Sequence, residues 1–322
     1  MALRHDYKTN KTMKRISFAT LFLFSLIILQ AQPRELIPAR GHYKQLQSYS
    51  TIPSAPDLEI DKQKFPYDAA VAERRLSLKP YYLSEKTSFK IADPPANSSE
   101  QTRAEINYLM ALQNNRTDEQ VHAALHMAKI YYNLRVTPND STYSQYRQNL
   151  FQIGRSVGSW FSPESLPVTA DFMAHVWQDA SYFIWTYKYK FLRIRPYVIE
   201  PALDNLEETD WAAYPSGHAT NSYINAYVYS ELAPEFADVF LKDAYDMAHS
   251  REIIGVHYPS DSESSRMLAR QLVNELFKNE KFRKDFELVK KEWKEMAKET
   301  FVKPALIKKE SKKGSSCAKV CE

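Results

Sequence analysis

The chain has 322 residues, 44% apolar and 25% charged, which suits one large folded domain or two small ones. Six Gly against 17 Pro and 21 Tyr argue against a β-rich fold with many tight turns and against a Gly-rich nucleotide loop. The net charge of +4 is concentrated at the end, where residues 303–322 hold six Lys and two Glu, and elsewhere no Lys/Arg stripe alternates with stacking aromatics, so no nucleic-acid partner is expected.

At the N-terminus Lys11, Lys14 and Arg15 precede an apolar run of 14 residues from Ile16 to Leu29, followed by Gln30-Ala31-Gln32-Pro33. A spanning helix needs about 20 apolar residues, so this run reads as a signal peptide over residues 1–32, with Met13 as an alternative start. No later segment is apolar enough to span a bilayer. An exported protein, periplasmic or secreted, without stable membrane insertion after signal removal is the expectation. Both cysteines, Cys317 and Cys321, fall in a basic tail at 301–322, so the body needs neither a disulfide nor a thiolate.

Residues 33–98 carry Pro33, Pro38, Pro53, Pro56, Pro66, Pro80, Pro94 and Pro95 with no sustained apolar period and read as an N-terminal arm. From about residue 99 to 300 the period becomes helical. Val121, Ala124, Leu125, Ala128 and Tyr132 step by three and four, as do Phe172, Val176, Ala180, Phe183, Ile184 and Tyr187. Further helices are predicted over about 217–231, 236–253, 261–279 and 280–299. With no alternating strand and no internal repeat, the fold class is all-α.

Three segments then concentrate the chemistry within 74 residues: Lys188-x6-Arg195-Pro196, Pro215-Ser216-Gly217-His218 and Ser250-Arg251-x5-His257-x3-Asp261. Ser216 is a natural N-cap, and the unpaired amides behind it make an anion site on which Gly217 imposes no Cβ. Ser260-x-x-Glu263 has the form of a capping box, with Asp261 in the first turn of the next helix. His257, four residues before Asp261, can donate a ring N–H to that carboxylate, which fixes its tautomer and leaves the other nitrogen bare. Pro196 is expected to stop the preceding helix just past Arg195. Arg195 and Arg251 supply planar forks and Lys188 a point charge. So many cations around one spot favour a bound phosphate or a five-coordinate phosphoryl transition state. The residues alone do not say which histidine is the nucleophile.

Outside these motifs, His122 and His126 sit four apart on a helix but lack the Glu of H-E-x-x-H, and read as a surface or core pair. His249 reads as helix packing, His175 as helix face, and Tyr182, Trp185 and Tyr187 as core.

The three segments resemble the tripartite signature of the type 2 phosphatidic acid phosphatase superfamily, shared with vanadium-dependent haloperoxidases. Arg193-Ile-Arg-Pro, Tyr214-Pro-Ser-Gly-His, the Ser250–Asp261 segment, Asn279-x-x-Phe282 and Asp93-Pro-Pro-Ala are more narrowly similar to bacterial class A non-specific acid phosphatases. Ala213 and Ala219 depart from that group, which has Ser and Thr there. The resemblance implies a helical bundle of the phosphatase/haloperoxidase type and a metal-independent, cofactor-free acid phosphatase acting on small phosphomonoesters and releasing inorganic phosphate. It implies that His257 is the nucleophile that becomes a phosphohistidine, that Asp261 orients it, and that His218 is the general acid and base. Lys188, Arg195, Ser216, Gly217 and Arg251 would hold the phosphoryl oxygens. A protonated His218 beside a neutral His257 predicts a bell-shaped rate profile on the acid side of neutrality. A vanadate-dependent haloperoxidase and a non-catalytic phosphate-binding module are the alternatives. A homo-oligomer is left open.

Overall fold

A computed structural model describes residues 56–297, so the signal-peptide and basic-tail readings lie outside the described residues. Within them the fold is all-α, with no strand. Eleven α-helices follow one another: α1 Leu58–Asp61, α2 Ala69–Leu76, α3 Glu100–Asn115, α4 Asp118–Ala128, α5 Tyr143–Asn149, α6 Pro167–Phe191, α7 Pro196–Ile199, α8 Gly217–Leu232, α9 Ala237–Ile253, α10 Pro259–Lys278 and α11 Glu280–Ala297.

The centre is α8. Ten of its residues from Ala219 to Tyr229 are buried, so it is enclosed on nearly every side, with α9 and α10 as its main neighbours. The long α6 lies against it and turns Phe172, Val176, Ala180, Phe183, Ile184 and Tyr187 inward at the spacing read from the sequence. Helix α11 closes the other side of α6, with Phe282 stacked at an angle on Phe172, ring centres 5.0 Å apart. A smaller cluster joins Ile106 and Leu109 of α3 to Ile194, Val198 and Tyr258, and so braces the first and third motifs against each other.

Two helix boundaries differ from expectation. Helix α6 ends at Phe191, four residues before Arg195, because Leu192 turns left-handed at φ 51°. Pro196 then opens α7, where its missing N–H costs nothing. Helix α10 starts at Pro259 rather than at Asp261, and the first-turn acceptor is Asp261, whose Oδ2 takes the Tyr258 N–H at 3.1 Å. Ser260 points elsewhere: its N–H and Oγ both go to Glu105 of α3.

The described part of the arm carries α1 and α2 and then runs along α6. The buried carboxylate of Asp179 accepts the backbone N–H groups of Tyr81 at 2.8 Å, Tyr82 at 3.1 Å and Leu83 at 2.7 Å. Beside it Tyr81 stacks on His175 at 3.7 Å, and Tyr187 Oη bridges the N–H and C=O of Phe89. Removing the carboxylate would strand three donors in a dry environment. Asp179→Ala should therefore lower the unfolding free energy in urea by about 3 kcal/mol, well beyond the change expected at an exposed aspartate.

Candidate active site

Arg193 and Arg195 both lie in the non-helical stretch between α6 and α7, but their side chains have different partners, Asp261 for Arg193 and the His257 ring for Arg195. Arg195 faces a cavity of about 890 Å³. Arg193 faces the wall behind it. The cavity is lined by Lys188, Arg195, Gly217, His218, Arg251 and His257, which brings six of the eight expected site residues to one space. The other two, Ser216 and Asp261, are fully buried directly behind it, each adjacent to or bonded with a lining residue.

Local backbone rules set this placement. Ser216 caps α8, its Oγ accepting the Ala219 N–H at 3.4 Å, and Gly217 follows at the helix start. A Cβ built on Gly217 would meet only Ile184, at 3.9 Å, so the space above its backbone is open. At the end of α9, Gly255 adopts φ +73°, a conformation open to glycine at little cost, and the Val256 and His257 amides turn back to the Arg251 carbonyl. That turn is what sets His257 beside Arg251.

The His257 ring is fixed at both nitrogens. Nδ1 lies 2.9 Å from Asp261 Oδ2, and Nε2 lies 2.8 Å from Arg195 Nη1. Asp261 is the stronger acceptor, so Nδ1 carries the hydrogen and Nε2 presents a lone pair toward the arginine. Burial works to raise the Asp261 pKa, but the Arg193 guanidinium and the His257 contact outweigh it and hold the carboxyl well below its usual range. Arg193 Nη1 reaches Asp261 Oδ1 at 2.7 Å and Ser260 Oγ at 2.8 Å, Nη2 reaches Glu105 at 3.2 Å, and the guanidinium stacks 3.7 Å from the Tyr258 ring centre. Glu105, Arg193, Asp261 and His257 thus form one buried chain of alternating charge ending in an imidazole.

On the cavity side, Lys188 donates to the carbonyls of Ala212 and Ala213 at 2.6 and 3.1 Å. Burial, reinforced by Arg195 and Arg251, keeps its pKa well below the ordinary lysine value. Arg251 gives Nη2 to Glu207 at 2.7 Å, while its buried Nε and Nη1 have no hydrogen-bond partner among the described residues. His218 Nε2 lies 3.1 Å from the Ala128 carbonyl, which can only accept, so Nε2 carries the hydrogen and Nδ1 is left to exchange a proton. Burial followed by a cation pushes both histidines well below their ordinary pKa, Arg251 acting on His218 and Arg195 on His257. Among the described residues no three His, Cys, Asp or Glu side chains come together as metal ligands.

Sequence reasoning passed over several of these residues. Arg193 stood inside the Arg-Ile-Arg-Pro motif without a role, and its spacing from Arg195 does not separate the parts of the two arginines. Glu105 was readable as a single acid among Thr102, Ile106 and Leu109 on the buried face of α3. Trp185, expected in the core, instead lines the cavity with Trp211, and Arg75 of the arm lies over both rings at 4.6 and 4.7 Å. His249 is not in the cavity; it pairs with Glu252 and stacks on Tyr245.

Two measurements follow from this electrostatics. In anion-free protein both cavity histidines should stay neutral to a lower pH than a free imidazole, the sign for lowered pKa values, and phosphate should raise them; histidine-selective NMR titration reads this directly. Arg193→Met should destabilise the fold by about 3 to 5 kcal/mol in urea, because it leaves Asp261 and Glu105 buried with one counter-charge removed.

No family model matches the chain. It is 35% identical over 116 residues to a non-specific acid phosphatase of Providencia stuartii, covering 34% of this chain and 47% of that protein. A non-specific acid phosphatase of Salmonella typhi is 29% identical over 117 residues, covering 34% and 46% respectively. The chain thus spans about half the length of the curated relatives it matches. Among solved structures, a bacterial vanadium-dependent iodoperoxidase overlaps 69% of this chain and 62% of its own at 20% identity and a TM-score of 0.48. Over about a third of its length the chain is thus similar to bacterial non-specific acid phosphatases.

Proposed function

We propose that the chain is an exported acid phosphatase that hydrolyses small phosphomonoesters through a phosphohistidine, without a metal. One observation carries this reading: Arg251 holds two buried, unpartnered donors in the same cavity as the lone pair of an imidazole oriented by a carboxylate. Unmatched buried donors are costly, and an oxyanion between Arg251, Arg195, Lys188 and the Gly217 backbone would satisfy them. Export rests on the basic residues and apolar run at the start of the sequence.

The phosphoryl group enters beside His257, and its oxygens draw the Arg195 fork away from Nε2. The freed lone pair attacks phosphorus as the ester P–O bond breaks, and Asp261 steadies the charge that grows on the ring. His218 gives its Nδ1 proton to the departing alkoxide. The neutral His218 then takes a proton from water, which attacks phosphorus and breaks the N–P bond, leaving inorganic phosphate and a reprotonated His218. The cations that depress the His218 pKa in the free protein are offset when the dianion or monoanion arrives, so substrate binding itself brings the acid form nearer to working pH.

The purified chain should release phosphate from p-nitrophenyl phosphate at mildly acid pH with no loss in EDTA. His257→Ala should lower kcat by roughly a thousandfold or more and abolish the phosphohistidine trapped by alkaline quench. His218→Ala should cost more against an alkyl phosphate than against the aryl ester, whose leaving group needs less protonation. Full activity in His257→Ala would end the proposal. Calorimetry of phosphate binding in buffers of different ionisation enthalpy should show proton uptake near neutral pH, the sign demanded by histidine pKa values that rise on binding.

A further inference from the structure

Glu207 has no part in the mechanism above, yet it is a carboxylate inside the anion site. It lies on the loop between α7 and α8, is 7% exposed, and lines the cavity with Arg251 and His257. The loop is anchored rather than loose: the Leu206 N–H bonds the Ile254 carbonyl at 3.0 Å, and Asn205 Nδ2 bonds the Glu207 carbonyl at 2.9 Å. Glu207 Oε2 accepts Arg251 Nη2 at 2.7 Å, and among the described residues no hydrogen bond reaches Oε1.

An oxyanion that satisfies Nε and Nη1 of Arg251 must lie against the same guanidinium that Glu207 already occupies. Two unprotonated anions on one arginine repel. A phosphate bearing one P–OH instead donates that hydrogen to the carboxylate, forming a short, charge-assisted bond. Resting on the phosphatase reading, we infer that Glu207 makes the site selective for the singly protonated form of its substrate, the phosphomonoester monoanion. A phosphomonoester passes from monoanion to dianion at about pH 6, so this selection alone would confine activity to the acid side. The other charged groups around the cavity are Arg251 of α9, Lys188 of α6, Arg195, His218 and His257, with Glu208 and Asp210 on the loop itself and Arg74, Arg75 and Arg135 in the walls. The histidines also titrate, so the test must cancel their contribution.

Sulfate does so, because it is a dianion of the same shape with no proton to give in this range. Calorimetric titration of the full chain at about pH 5 should show phosphate, then a protonated anion, binding roughly tenfold more tightly than sulfate. Raising the pH to about 8 should shrink that ratio, since both ligands are then largely dianions and the histidine term is common to them. In Glu207→Gln the ratio should fall toward one, chiefly through tighter sulfate binding. A residue that only holds Arg251 in place would weaken both anions alike and leave the ratio unchanged, and that result overturns the inference. If the variant does not fold, the wild-type ratio decides: equal affinities at acid pH, or a ratio independent of pH, also overturn it. Binding without turnover of any phosphomonoester would defeat the catalytic reading while leaving Glu207's selectivity intact; binding of neither anion would defeat both.

Discussion

The arrangement turns on one fully buried carboxylate. Asp261 has no contact with water, and an isolated ion there would cost several kcal/mol to desolvate. It is tolerated because three groups meet it, Arg193 Nη1 on one oxygen and His257 and the Tyr258 amide on the other, while the Tyr258 ring covers the arginine. Arg193 comes from the first motif and His257 from the third, while Glu105 of α3 secures the far side of the guanidinium. Removing any one of these groups leaves a charge unmatched in the interior. The stretches that carry the chemistry are therefore docked to one another by electrostatics as well as by the small apolar cluster around Ile194 and Tyr258.

Charge is handled oppositely on the two sides of His257. Behind the ring, cation and anion alternate from Glu105 to Asp261, so that wall is close to neutral. In front, Lys188, Arg195 and Arg251 share a cavity with two histidines, and Glu207 meets only part of that charge. Burial first, and these cations after it, hold the pKa values of Lys188, His218 and His257 well below their ordinary values. Positive charge held in a low-dielectric pocket before a ligand arrives needs no reorganisation during reaction, which is the most effective form of electrostatic stabilisation. The same physics makes the unliganded cavity a poor place for a protonated histidine, and couples proton uptake to anion binding.

Much of this was legible in the sequence, for reasons that differ by residue. The inward faces of α6 and α11 repeat at three and four, so Phe172, Val176, Phe282 and Phe286 declare their helices plainly. Helix α8 was found from its cap at Ser216, since a helix buried on every side has no polar stripe to mark its faces. The residues that meet at the cavity were legible because basic and imidazole side chains sit there in short fixed spacings. The end of α6 was misplaced because Pro196 suggested a stop, whereas the backbone had already turned at Leu192, a residue with no such signal. Glu105 and Glu207 were missed for another reason. Each acts on a residue far away in the sequence, on Arg193 and Arg251 respectively, and no local spacing encodes a contact across 88 or 44 positions.

The cavity also divides its labour by segment. Its floor is made of motif residues on helix ends, held by caps, by Gly255 and by the buried carboxylate. Its walls come from elsewhere: Arg75 on α2 of the arm, Tyr132 beyond α4, Trp185 on α6 and Trp211 on the loop after α7. Arg75 lies over the Trp185 and Trp211 rings and so joins arm, helix and loop at one corner of the opening. A second tie is made by Arg135, which bonds the Arg74 carbonyl and Ser77 Oγ and fastens the segment beyond α4 to the end of α2. The floor is held by buried hydrogen bonds to Asp261, which leave its side chains little freedom. The opening is thus shaped by the arm and the loops, and the floor by the helix ends that carry the three motifs.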